Sequence, residues 1–305
     1  MAIGLPRREF LRRAGGIAGA GIGLNLVGAG RARGAGTGRA RGAGAAESGG
    51  GRVAAGALPA RAGGTVKHGI QHFRSRPDLR PPEIVIDVPA HRVAPGMIFT
   101  DASSTPTEQG AMIMDGRGGL VWYRPVSRKA SVHRAFNLRV GEYHGAPVLS
   151  WFVGAVLHAH GYGHYEIHDQ QYQQVAEIHA HNGYRADLHE FLITPEGTAL
   201  FTCYGQGTAG RGAYYYGVVQ EVDIATGKLL FQWRSDHHVP FSASYQGVPS
   251  SPEAWDYFHI NSIAVDPSDG HLLISSRNTW ACYKVHRRSG KVLWKLGGKD
   301  GDFRM

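Results

Sequence analysis

The chain has 305 residues, a formal charge of +9 and two cysteines. That length suits one large domain or two ordinary ones, and so few cysteines exclude a disulfide-built scaffold. The charge suggests nucleic acid or a membrane surface only until it is located. Residues 1 to 64 hold ten of the 33 Lys+Arg and two of the 24 Asp+Glu, which leaves 23 against 22 for the rest. The body of the chain is close to neutral, so nucleic acid drops out as an expected partner.

In chain order, the first element is a leader. Pro6-Arg7-Arg8-Glu9-Phe10-Leu11-Arg12-Arg13 matches the n-region of a twin-arginine export signal, and a Gly- and Ala-rich stretch follows from Ala14 to about Gly30. This stretch is too short and too weakly apolar for a stable membrane span. Residues 1–30 are therefore expected to be a signal peptide that sends the protein to the periplasm or the cell exterior by the twin-arginine route. Residues 31–64 are Gly/Ala/Arg low complexity. With almost no large apolar side chain they cannot offset the entropy of ordering, and a disordered linker is expected.

From about residue 84, short apolar runs alternate with Gly, Pro, Asp and Asn, and no stretch keeps a 3.6-residue period for three turns. The expectation is all-β. Internal repetition sharpens it. Asp223-Ile-Ala-Thr-Gly227-Lys228-Leu-Leu-Phe231-Gln-Trp233 has a near copy in His286-Arg-Arg-Ser-Gly290-Lys291-Val-Leu-Trp294-Lys-Leu296. Weaker copies run from Asp115 to Tyr123 and from His168 to Ile178. A second element, strand–turn–strand with Gly in the turn, runs from Asn137 to Ser150, from His189 to Thr202 and from His259 to Ser275. The copies recur at roughly 55 to 61 residues, the length of a four-stranded propeller blade with insertions. One such sheet cannot bury both faces alone, whereas blades stacked around an axis bury them in series. Residues 65–305 are thus expected to form a partial β-propeller domain, with about three repeats and the start of a fourth. An array that stops within a unit would expose an edge, so a longer natural domain is expected.

The segment Phe258-His259-Ile260-Asn261-Ser262-Ile263 is followed by Asp266-Pro-Ser-Asp-Gly270 and by Leu273-Ile-Ser275-Ser276-Arg277-Asn278-Thr279. It then leads to Gly290-Lys291-Val-Leu-Trp294-Lys-Leu296-Gly297-Gly298. In this order the segments resemble the bacterial arylsulfotransferases, and Asp187-Leu188-His189-Glu190-Phe191 resembles the same family one blade earlier. The resemblance implies a secreted propeller of the six-bladed type. It also implies transfer of a sulfuryl group from a phenolic sulfate ester to a phenol without a nucleotide donor. By the same resemblance His259 and Arg277 are catalytic and His189 and Asn261 bind substrate. The implied partners are a small-molecule aryl sulfate and a phenol, with no cofactor and no metal. The family's covalently sulfated histidine lies further on, in a Gln-His-Asp-like element, so this chain by itself is expected to be inactive or nearly so.

The residues agree with that reading in part. Asn137 and His189 stand eight residues before the turn Gly, and Asn261 stands nine before it. Equivalent positions on successive blades face one central region. Arg, Asn and imidazole donors there would stabilise charge on the non-bridging sulfuryl oxygens, and His259 would handle the phenol proton. The dense run His158, His160, His164, His168, His179 and His181 is expected to be an exposed polar face rather than a metal site. Tyr214-Tyr215-Tyr216 beside a Gly-rich stretch reads as a loop. Cys203 and Cys282 form one disulfide or pack as two small apolar residues. Two rivals remain open: a non-catalytic secreted propeller that binds a ligand or partner, and a quinoprotein-like dehydrogenase, disfavoured because no metal-binding carboxylate set is evident. The oligomeric state is left open.

Overall fold

The computed structural model describes residues 66–67, 69–89, 91, 94–102, 109–126, 134–210, 212–250 and 253–303. The expected signal peptide (1–30) and linker (31–64) lie outside them. Two short strands, β1 (Val66–Lys67) and β2 (Val85–Ile86), pair with each other ahead of the main body. Next come β3 (Met97–Ala102), β4 (Gly110–Asp115) and β5 (Leu120–Pro125), a three-stranded antiparallel sheet. A four-stranded meander follows, made of β6 (Arg134–Tyr143), β7 (Ala146–Leu157), β8 (His160–His168) and β9 (Gln174–Ile178). A second meander comprises β10 (Ala186–Ile193), β11 (Thr198–Ala209), β12 (Gly212–Asp223) and β13 (Leu229–Arg234). Two single 3-10 turns (Ser235–His237 and Phe241–Ala243) and β14 (Trp255–Asp256) lead to the last meander. It consists of β15 (Ile260–Val265), β16 (Leu272–Ser276), β17 (Ala281–Val285) and β18 (Val292–Gly297).

The architecture is all-β and of the propeller type. Each meander is a blade, and the leading strands β3, β6, β10 and β15 pack side by side toward one axis. The two repeated sequence elements are the two halves of a blade. The Asn137, His189 and His259 copies form the inner hairpins β6–β7, β10–β11 and β15–β16. The Gly-turn copies form the outer pairs β4–β5, β8–β9, β12–β13 and β17–β18. This assignment changes one expectation. The unit expected to break off at its C-terminal side is a full four-stranded meander, β15–β18, and the sheet with fewer strands is β3–β5.

The outer turns show why the repeat is legible. Gly227 and Gly290 adopt φ of +70° and +71°, a left-handed conformation that a side chain resists. Their amides donate to Asp223 O and His286 O at 2.8 and 2.9 Å. The residue that opens each turn also holds it through its side chain. Asp223 Oδ1 accepts from Thr226 N at 2.8 Å, and His286 Nδ1 accepts from Ser289 N at 3.1 Å.

Aromatic side chains at the ends of the outer strands join the blades. Trp233 is buried, and its indole N–H donates to Gly290 O, 3.1 Å away in the next blade. Trp122 lies edge-on to Trp151 at 6.0 Å and stacks on Tyr172 at 5.0 Å. Cys203 and Cys282 are both free thiols, so the pairing left open by the sequence is not made. Among the described residues no helix is long and apolar enough to cross a membrane.

Candidate functional site

The leading strands of the three four-stranded meanders are irregular at the same level. The β6–β7 register shifts between Phe136 and Arg139, β10–β11 between Ala186 and Phe191, and β15–β16 between Ile260 and Ser262. A bulge of this kind frees backbone from the ladder and re-aims side chains. Asn137 and His259, beside the first and last of these shifts, both take positive φ, +61° and +51°. For a histidine that conformation is strained and needs support from its surroundings.

The Ser276-Arg277-Asn278 segment supplies the support. Arg277 N donates to His259 O at 2.9 Å, and Asn278 N donates to Phe258 O at 3.1 Å. Ser276 Oγ donates to the same Phe258 O. Asn278 Nδ2 donates to Asp256 O at 2.5 Å. The carbonyls from Asp256 to His259 are thereby clamped from one side, which fixes where two side chains of that segment point.

The site consists of two His–Asp pairs. Asp187 is fully buried, and its carboxylate accepts from Gly161 N (2.5 Å), His189 N (2.9 Å) and Thr202 Oγ1 (3.1 Å). It also lies 2.6 Å from His189 Nδ1. In the second pair, Asp256 Oδ2 lies 2.5 Å from His259 Nδ1 and 3.2 Å from His160 Nε2. The His189 and His259 rings meet edge to face, 5.0 Å between centroids. Arg277 extends over this group with Nη2 4.0 Å from Asp256 Oδ2, its side chain more than half exposed. Tyr204 closes the inner side, 4.0 Å from the His160 ring and 5.8 Å from that of His259, with its hydroxyl bonded to Ile260 O.

The two imidazoles are tuned in opposite directions. Burial alone would lower the His189 pKa, but the charge and hydrogen bond of Asp187 outweigh it and the net shift is upward. At His259 burial prevails over Asp256, helped by the charges of His189 and Arg277, and the pKa falls. Both carboxylates resist protonation. Burial would raise Asp187 and Asp256, but their histidine partners hold both below the ordinary range. The arrangement favours the cation at His189 and the neutral ring at His259. Because Nδ1 of each ring faces its carboxylate, Nε2 is the nitrogen left to act.

Of the four residues singled out in the sequence, the fold brings His189, His259 and Arg277 together. Asn261 is exposed on β15, at the register shift, and no hydrogen bond ties it to the others among the described residues. Four contributors went unassigned: Asp187, Asp256, His160 and Tyr204. His160 was expected on an exposed polar face and is instead buried in the site, as His168 is buried in its own blade. The signal available was an Asp two or three residues before each histidine, in Asp187-Leu-His189 and Asp256-Tyr-Phe-His259.

Beside His160 a cleft of about 360 Å³ opens, lined by Tyr162, Tyr184, Tyr204, Tyr215, Tyr216 and Gln206 among others. The Tyr215 ring lies 4.4 Å from that of His160. Tyr214 to Tyr216, read as a loop from the sequence, lie within strand β12.

Fold and site together define an all-β propeller protein with a polar centre built from imidazole, carboxylate and guanidinium groups. The chain belongs to the arylsulfotransferase (ASST) family, whose model matches residues 139–305. That match takes in His160, Asp187, His189, Asp256, His259 and Arg277. Among solved structures the chain is similar to one titled "Structure of Dos1 propeller", with a TM-score of 0.38 and 11% identity over 72% of this chain. The matched part is 51% of that other chain, so this chain spans about half its length. No curated protein matches the chain.

Proposed function

We propose that the central cluster is a sulfuryl-transfer pocket, which takes the sulfuryl group of a phenolic sulfate ester and passes it toward a phenol with no nucleotide donor. The observation that carries this reading is the oppositely tuned His189–His259 pair beside Arg277. Across the whole transfer one S–O bond to the donor phenol breaks and one to the acceptor phenol forms. The acceptor's proton ends on the departing phenol. Cationic His189 and Arg277 donate to the non-bridging oxygens, where charge is concentrated during transfer. Neutral His259 takes the acceptor's proton on Nε2, with Asp256 steadying the imidazolium that results.

The tyrosine-lined cleft offers flat aromatic faces next to this polar centre, which suits an aryl ring. Asn261, on the exposed side of β15, adds an amide donor at the rim. The twin-arginine pattern at Arg7-Arg8 extends the reading to an exported enzyme.

The test uses the full chain with 4-nitrophenyl sulfate as donor and phenol as acceptor. Release of 4-nitrophenol is followed by absorbance and formation of phenyl sulfate by mass spectrometry. Transfer that drops by about a hundredfold or more in His259→Ala and Arg277→Ala supports the proposal. Saturable binding of the ester without transfer matches the inactive chain expected from the sequence: it keeps the sulfate pocket and denies the transfer step, whereas absence of binding would leave a propeller for another ligand or partner. Reduction of a dye by an alcohol would point to dehydrogenase chemistry.

A further inference from the structure

Away from the central cluster, one face of the β8–β9 ladder gathers imidazoles and carboxylates. Glu166 and Glu177 are register partners on these two strands. His164 stands two residues before Glu166 on β8, and His179 two residues after Glu177, just past the end of β9, with ring centroids 5.2 Å apart. Carboxylates set directly opposite each other repel, and here imidazoles of His164, His168 and His179 stand against them.

The potential ligand atoms converge. Nε2 of His179 is 2.7 Å from Glu177 Oε1, and Nε2 of His164 is 3.8 Å from the same oxygen and 4.0 Å from Glu166 Oε1. Ligand atoms of His164, Glu177 and His179 all lie within 4.8 Å of one another. In a tetrahedral zinc site, with bonds of about 2.0–2.2 Å, ligand atoms stand roughly 3.3–3.5 Å apart. The observed separations of 2.7 to 4.0 Å bracket that range, and an ion there would replace the His179–Glu177 hydrogen bond.

A further contact orients the glutamate corner from beneath. His168 Nε2 lies 2.8 Å from Glu166 Oε2, and the His168 ring is buried and stacked on Trp151 at 4.2 Å. A buried group that fixes the second oxygen of a carboxylate is the outer-shell support metal sites commonly have. The other His/Asp trio, His160, Asp256 and His259, belongs to the catalytic centre, where Arg277 already faces the shared carboxylate.

We propose that His164, Glu166, Glu177 and His179 form a binding site for a divalent first-row transition metal of the zinc type. Mixed imidazole and carboxylate donors suit such an ion and not calcium or magnesium, which take oxygen ligands. Strand β9 pairs only with β8 and is the outer edge of its blade. A metal held between the two strands fastens that edge, a structural role independent of sulfuryl transfer.

The test is titration calorimetry of the tag-free full chain with zinc chloride at pH 7.5. One ion per chain is expected, with affinity reduced about tenfold or more in His164→Ala/His179→Ala. Glu177→Gln keeps the shape of a half-exposed side chain and should weaken binding without loss of fold. At about a hundredfold excess over Kd, zinc should raise Tm of the natural chain by about 5 °C and leave the double variant unmoved. Cobalt in place of zinc should give the intense visible bands of tetrahedral coordination. Absence of saturable binding, or equal binding in the double variant, would overturn the proposal. So would binding that survives in the double variant but disappears in His259→Ala, which would place the ion in the central trio.

Discussion

His189 and His259 stand edge to face with ring centroids 5.0 Å apart, each with Nδ1 against its own aspartate, yet their pKa values move in opposite directions. The difference follows from how completely each carboxylate is committed. Asp187 is wholly buried and serves His189 as its only imidazole partner, whereas Asp256 divides one oxygen between His259 and His160. A ring that favours its cation and one that favours its neutral form are thereby held side by side.

That relationship predicts a bell-shaped pH profile for transfer. Activity should rise as His259 loses its proton below about 6.5, and fall as His189 loses its proton above about 6.5, around the ordinary histidine value. The same shifts govern stability. The raised His189 stabilises the fold below its unfolded pKa, and this contribution is lost as pH rises through the folded value. The lowered His259 acts in the opposite sense: its stabilising effect is present above the unfolded pKa and is lost as pH falls toward the folded value. Imidazole NMR titration should resolve two curves on opposite sides of the ordinary value, interdependent because the rings are neighbours. His189→Gln should abolish the alkaline limb of the activity profile and leave the acid limb in place.

Asp187→Asn is expected to cost about 3–5 kcal/mol, because it breaks a buried pair and leaves donors aimed at an amide. Gly161, His189 and Thr202 all point at this carboxylate. Urea denaturation measures the loss, and the His189 titration should move down in any folded fraction. An unchanged His189 titration would show that Asp187 does not set its charge.

Gly161 is required by that same carboxylate. A Cβ at this position would lie 2.6 Å from Leu188 N and 3.1 Å from Asp187 Oδ2. Backbone cannot yield as a flexible side chain does, so Gly161→Ala should destabilise by about 1–3 kcal/mol. It should also lower transfer more than its stability loss explains, because it displaces Asp187 and with it His189. Thermal melts and activity measured on the same preparation separate the two effects.

How far the sequence carried this site depends on distance along the chain. The outer turns are local: a side chain that opens the turn, a Gly at positive φ and an aromatic at the strand end recur within a dozen residues, so the blades could be read directly. His189 and His259 were reachable because each sits in a short motif. His160 was not, because its partner Asp256 is 96 residues away, and the period of a strand assigns a face without saying what covers it. The run from His158 to His181 thus looked uniform, although the fold buries His160 and His168 and leaves His179 exposed. Asp256 lies just ahead of the inner strand, where the repeat gives no alignment. The Ser-Arg-Asn segment was read for its arginine alone; its flanking Ser276 and Asn278 turn out to hold the strained backbone of His259.

The blade junction gives a prediction of stability separate from the site. Trp233 is buried to 1% and its indole N–H reaches Gly290 O across two blades. Trp233→Ala should cost about 3–5 kcal/mol through the cavity it leaves. Trp233→Phe keeps most of the packing and loses the hydrogen bond, for about 1–2 kcal/mol. Chemical denaturation of the two variants tests whether packing or the hydrogen bond carries more of the junction.

Asn278 separates support of the backbone from chemistry. Its side chain donates to Asp256 O, its amide donates to Phe258 O, and its own carbonyl accepts from Tyr245 N. Asn278→Ala removes the first of these together with the bond that Asn278 Oδ1 accepts from Arg277 Nε at 3.2 Å, and should cost about 1–3 kcal/mol of stability. The Asp256-to-His259 segment, held in part by that bond, should then relax away from the positive φ at His259. Since Asp256 and His259 would move together, their mutual contact should survive while the approach of His259 to His189 is lost. The expected signature is a fall in kcat of about tenfold or more, with a smaller rise in KM because Arg277 loses its Asn278 contact while His189 still holds the sulfate end. Asn278→Asp presents an acceptor to Asp256 O where a donor stood, so it should be worse than Ala on both measures. Steady-state kinetics of the two variants decides the point: a rise in KM at constant kcat would mean that Asn278 acts on substrate binding and not on the placement of His259.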